Sequence, residues 1–146
     1  MIKHTFLFDQ QVWNATGVYF DSADTPAPAA GESKVIHQEG LWIVESIVRV
    51  FGDAPLEIKN RYEVIPFSDD NPYVAQWKSV NTALGRLSGK FVIIDDTILS
   101  IYQSEESVHA GTEVLVKIED GYYQNKGCLF KGNDKLSSWA FELRKR

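Results

Sequence analysis

Lys34-Val35-Ile36-His37-Gln38-Glu39-Gly40-Leu41-Trp42-Ile43-Val44-Glu45-Ser46-Ile47-Val48-Arg49-Val50-Phe51 decides the fold. Two runs rich in Val and Ile flank Glu39-Gly40, a pair suited to the left-handed backbone of a two-residue hairpin turn. Such a turn fixes register: Gln38 lies opposite Leu41, and His37 shares a face with Trp42. That face continues through Val44, Ser46 and Val48, while Glu45 and Arg49 lie opposite, so it is the inner one. Working outward, the same plan recurs. In 57–65, Glu57, Lys59, Arg61 and Glu63 alternate with Ile58, Asn60, Tyr62 and Val64, which point in. Asp95-Asp96 and Asp120-Gly121 read as further two-residue turns. Strands are expected near 33–38, 41–51, 57–65, 74–80, 86–94, 97–104, 112–119, 122–130 and 136–144. Gly17 to Ser22 supplies another, making about ten. Thr5 to Trp13 reads as a short helix capped by Thr5, with a strand as the alternative. Asp24 to Gly31 is expected to be a loop, because two prolines do not suit a sheet interior.

About ten antiparallel strands in a meander make either a sandwich or a closed barrel. Face assignment separates them. The inner surface contains His37, Ser46, Asn60, Tyr62, Ser79, Ser100, Tyr102, Tyr123 and Asn125 among its apolar residues. A dry core would have to satisfy all of these internally, at about 1–3 kcal/mol for each failure. A lumen holding water and a ligand satisfies them readily. The sequence therefore predicts one all-β domain over residues 1–146, an antiparallel up-and-down barrel with a short N-terminal helix or segment.

Composition bounds the function. Hydrophobic residues make up 44% and charged residues 24%, as in ordinary globular chains. A formal charge of −5 with scattered Lys and Arg argues against nucleic acid. Cys128 is the single cysteine, so no internal disulfide is available and a reducing compartment is favoured. No apolar stretch suits a signal peptide or a membrane span, and the expectation is a cytoplasmic protein without membrane insertion.

The ten-strand meander, the N-terminal segment ending in Trp13 and the opening Gly17-Val18-Tyr19 resemble the calycin superfamily of lipocalins, fatty-acid-binding proteins and nitrobindin-like barrels. The resemblance is one of fold. It implies carriage or sensing of a small apolar or amphipathic molecule. In lipocalins a late-strand Arg stacks on the first-strand Trp, and Arg144 would take that part for Trp13. Nitrobindin-like proteins hold haem through a late histidine; no histidine follows His109, so no haem or other cofactor is implied.

The expected ligand-binding residues are His37, Trp42, Ser46, Asn60, Tyr62, Trp77, Phe91, Ser100, Tyr102, Val116, Tyr123 and Asn125. Apolar burial against Trp42, Trp77, Phe91 and Val116 would supply affinity. His37, Asn60, Tyr62 and Tyr102 would orient a polar head. Val116 enters because the Asp120-Gly121 turn, taken as regular, puts Val114, Val116 and Ile118 on one face with Tyr123, Asn125 and Leu129. A satisfied core histidine is the plainer reading of His37; the sharper one makes it an acid or base near neutral pH. That gives the alternative function, an isomerase, cyclase or lyase using His37 with Tyr62 or Tyr102. No catalytic residue is assigned. Three isolated histidines and one cysteine do not advertise a metal site, although a non-local set of His37, His109 and Glu113 is conceivable. Trp139 and Phe141 read as pure core. A third reading is a homodimeric interaction domain, using the outward apolar stripe Leu41, Ile43, Ile47 and Phe51.

Overall fold

The computed structural model describes residues 2–81 and 83–146. Ten strands follow one another around a closed antiparallel barrel, and the last pairs with the first. They are β1 (Gln11–Phe20), β2 (Pro26–Gln38), β3 (Leu41–Val50), β4 (Leu56–Val64), β5 (Val74–Asn81), β6 (Gly85–Ile94), β7 (Thr97–Ser104), β8 (His109–Glu119), β9 (Tyr122–Lys131) and β10 (Asp134–Lys145). Closure is narrowest between β4 and β5, where Tyr62–Val64 pair with Trp77–Ser79. The Glu39-Gly40 hairpin has the expected register, with Gln38 opposite Leu41 and His37 opposite Trp42. Gly40 supplies the left-handed backbone that this turn requires (φ 69°).

One end of the barrel is plugged by the N-terminal segment. Among the described residues there is no helix; 6–8 form a turn and β1 begins at Gln11, so the expected N-terminal helix is replaced by a turn and a strand. Phe6 and Leu7 are driven into the barrel end, where they are buried beside Trp13 and Tyr123. Leu7 has a left-handed backbone (φ 73°), which costs a side chain with a Cβ roughly 1–2 kcal/mol. Its complete burial, and the 2.7 Å hydrogen bond that its carbonyl accepts from His37 Nε2–H, offset that strain. His4 is a second fastener. Its Nε2–H donates to the Asp95 carbonyl (2.8 Å), which leaves Nδ1 to accept the Tyr123 hydroxyl proton (2.8 Å). The Tyr123 oxygen in turn accepts from the Thr5 N–H at 3.0 Å. The opposite end carries the turns after β1, β3, β5, β7 and β9 and forms the mouth.

Residues 24–31 are not the expected loop: Pro26 to Gly31 belong to β2, paired with β1 throughout. The prolines are tolerated because of where their missing N–H groups would point. Pro28 offers its carbonyl to the Phe51 N–H, on the β3 side, just beyond the last β2–β3 pair at Ala29 and Val50. Pro26 and Pro28 share that direction, so neither removes a donor from the β1–β2 ladder.

A second departure has larger consequences. Glu119 pairs with Tyr122, as the turn at Asp120-Gly121 requires, but the next pair is Lys117 with Tyr123. Ile118 is an extra, bulged residue and is half exposed (50%). A bulge of one residue inverts the faces beyond it. Gly111, Glu113, Leu115 and Lys117 therefore face inward, with Leu115 in the core. Val114, Val116 and Ile118 face outward, which corrects their assignment to the inner face.

Two smaller expectations also change. Arg144 lies over the Tyr122 ring (4.0 Å to its centre), not on Trp13. In the outer stripe Ile43 is buried and Leu41 and Ile47 are partly covered, which leaves Phe51 at the mouth as its exposed member. That removes the continuous apolar face that had motivated a homodimer.

Candidate functional site: the barrel lumen at Glu113

The bulge delivers Glu113 to the interior, opposite Ser100 of β7 and Gly127 of β9. Its Oε2 accepts a 2.9 Å hydrogen bond from Trp139 Nε1–H of β10. Trp139 is thus not pure core but the donor that positions a carboxyl group. Among the described residues no Lys or Arg is ion-paired with Glu113. The inward Lys117 directs its ammonium to Asp120 and the Lys3 carbonyl at the plugged end. Desolvation raises the Glu113 carboxyl from 4.5 to about 7, against the opposing hydrogen bonds from Trp139 and Asn125. A carboxyl group in this condition changes charge near neutral pH.

Two phenols face it. Tyr62 and Tyr102 are both pushed above the ordinary tyrosine value, first by desolvation and then by the Glu113 charge. Tyr102 pairs with Gly111, two residues from Glu113 along the same face of β8. Both phenols are neutral O–H groups across the physiological range, and among the described residues neither has a hydrogen-bond partner. Neither is sealed from solvent, because the completely buried unpaired side-chain atoms are the Trp13 and Trp77 indole nitrogens.

The large inward rings rest on glycines. Trp77 of β5 is paired with Gly89 of β6, Tyr102 of β7 with Gly111 of β8, and Trp139 of β10 with Gly127 of β9. At each glycine an added Cβ would lie 2.4 Å from the partner ring. Each ring therefore occupies the space of a missing side chain against the wall. Inward-facing Ser46, Val48, Ile58, Asn60, Tyr62, Tyr102, Glu113 and Trp139 all retain accessible surface.

The twelve expected binding residues divide. Asn60, Tyr62, Trp77, Ser100, Tyr102 and Asn125 lie on the inner face of the strands around Glu113, and Ser46 stands opposite Asn60. Phe91 lies opposite Ser100, in the main core cluster. His37, Trp42 and Tyr123 belong to the plugged end. The His37 ring stacks on Trp42 with centres 4.3 Å apart, and its Nε2 is committed to Leu7. His37 is thus a structural histidine, and no His–Tyr pair forms at the centre of the lumen. His109 bonds Ser107 at the mouth, so the set His37, His109 and Glu113 does not converge; among the described residues no cluster suits a metal ion. Val116 lies outside. Glu113 is the residue that sequence reasoning missed as a lumen group, and only the bulge reveals it. A hollow of about 680 Å³ also lies on the outer wall, lined by outward residues such as Glu63, Lys78 and Lys90 and by the Trp77 and Tyr102 rings. Neither Glu113 nor Tyr62 lines it, and we place the site inside.

This barrel resembles a lyase in fold. The S-type phycobiliprotein lyase CPES from Guillardia theta superposes with a TM-score of 0.69 over 97% of this chain and 90% of that one, at 8% identity. At that identity the likeness shows the fold alone, a closed ten-strand antiparallel barrel. No family model and no curated protein matches the sequence.

Proposed function

We propose that the chain binds a flat, largely apolar small molecule in its lumen and acts on it as a lyase or isomerase, with Glu113 as the group that moves the proton. The observation that carries this reading is Glu113 itself: a carboxyl group inside the barrel that takes its proton near neutral pH, without a cationic partner among the described residues, beside two phenols that no described residue hydrogen-bonds. Groups that titrate near the working pH suit general acid–base chemistry, and such sites are where desolvated carboxyls collect. Tyr62 and Tyr102 would donate hydrogen bonds to a carbonyl or developing oxyanion. Trp77, Tyr102 and Trp139 would cover the faces of a flat ligand. The lyase of like fold supports this class of activity, with Glu113 in place of the histidine expected from sequence.

Native mass spectrometry of freshly purified protein and of Glu113→Gln tests it, with spectroscopy of any released compound. The proposal expects a bound small molecule in both, chemically different between them because the variant binds without turning over. The same compound in both would remove the chemistry and leave the carrier. A lumen that holds no compound and takes up no flat aromatic probe would remove both.

A further inference from the structure

Resting on the lumen reading, we infer that the ligand presents a cationic nitrogen, or a strongly polarised N–H, to Glu113. Charge inventory makes the argument. Along the inner face the titratable groups on the elements around Glu113 are the Tyr62 and Tyr102 phenols, of β4 and β7. On β8 itself Gly111 and Leu115 flank it, and β9 and β10 contribute Asn125, Gly127, Trp139 and Phe141. Cys128 of β9 is on the outer face. His37 is held by Leu7, and the Lys117 ammonium is held at Asp120. Among the described residues, none neutralises the carboxylate.

The donors beside it, Trp139 on Oε2 and Asn125, are both neutral, so positive charge is left for a ligand to bring. An anionic ligand would be repelled, and a ligand offering only acceptors would meet an acceptor. The walls agree: indole and phenol faces attract cations by about 0.5–2 kcal/mol, more when desolvated, and Tyr102 and Trp139 flank the carboxylate on either side. A flat nitrogen heterocycle bearing positive charge satisfies both features at once.

The test compares proflavine, a flat cation, with anthracene, a three-ring molecule of the same outline that is neutral at every pH used, by quenching of tryptophan fluorescence at about pH 8.5, above the Glu113 titration. The expectation is proflavine binding about tenfold more tightly, the order of one charge-assisted contact. That preference should fall to about threefold or less in Glu113→Gln, where ring contacts alone persist. Wild-type protein at about pH 5.5, with Glu113 protonated, should lose the preference without any substitution. Equal binding of the two dyes at high pH, or a preference unchanged by both charge removal and acidification, overturns the cation assignment and leaves the lumen reading standing. Binding of neither dye overturns the lumen reading and this inference with it.

Discussion

Glu113→Gln should stabilise this protein at alkaline pH and do little at acid pH. The folded-state carboxyl titrates at about 7 against an ordinary 4.5. Burial raised the value, so the folded state holds the proton more tightly than the unfolded chain does. Stability is therefore greatest below the unfolded value and falls as pH rises towards 7. The difference of about 2.5 pH units corresponds to roughly 3 kcal/mol at 1.36 kcal/mol per unit, an upper figure because water in the lumen screens part of it. Glutamine keeps an oxygen for Trp139 and carries no charge. The stability of Glu113→Gln relative to wild type should be near zero at about pH 4, then climb to about 2–3 kcal/mol by about pH 8. Urea unfolding across that range measures it, and an accompanying Tm rise of roughly 6–10 °C at about pH 8 is expected for a chain of this size. A stability difference that does not change with pH would refute the reasoning, because it would mean that Glu113 titrates alike in both states. Stability gained by removing a charged group is the mark of a side chain kept for function.

Other outcomes follow from particular contacts. Gly111→Ala puts a Cβ 2.4 Å from the Tyr102 ring and 2.8 Å from the Cys128 carbonyl oxygen; lifting the ring into the lumen should cost about 1–3 kcal/mol and weaken dye binding, as fluorescence titration would show. Tyr123→Phe strands the Thr5 N–H and the His4 ring beneath the plug, and calorimetry should record a loss of about 1–3 kcal/mol. Leu115→Ala should cost about 2–5 kcal/mol as a core truncation, whereas Val116→Ala should stay within about 1 kcal/mol; the reverse order would place the β8 bulge wrongly.

The chain's own turns made most of the barrel readable. Glu39-Gly40 and Asp95-Asp96 have the registers their chemistry implies, and alternation in Glu57 to Val64 placed Asn60 and Tyr62 inside. Two features escaped for definable reasons. Pro26 and Pro28 read as loop because proline forfeits a sheet donor, yet both direct that missing donor past the end of β3. The bulge at Ile118 left no local mark: Val114, Val116 and Ile118 make as good an inner face by pattern as Gly111, Glu113 and Leu115. Pattern reasoning chose the apolar set and so hid the one carboxyl that matters. The N-terminal plug escaped for a different reason, since its fasteners, His4 to Tyr123 and His37 to Leu7, join residues remote in sequence.

A carboxyl-carbon NMR titration of Glu113 tests the central claim most directly, with free protein and then with proflavine bound. A free midpoint near 7, falling by about one unit or more when the dye is bound, is the predicted result. A midpoint in the ordinary carboxylate range, unmoved by the dye, would contradict the account.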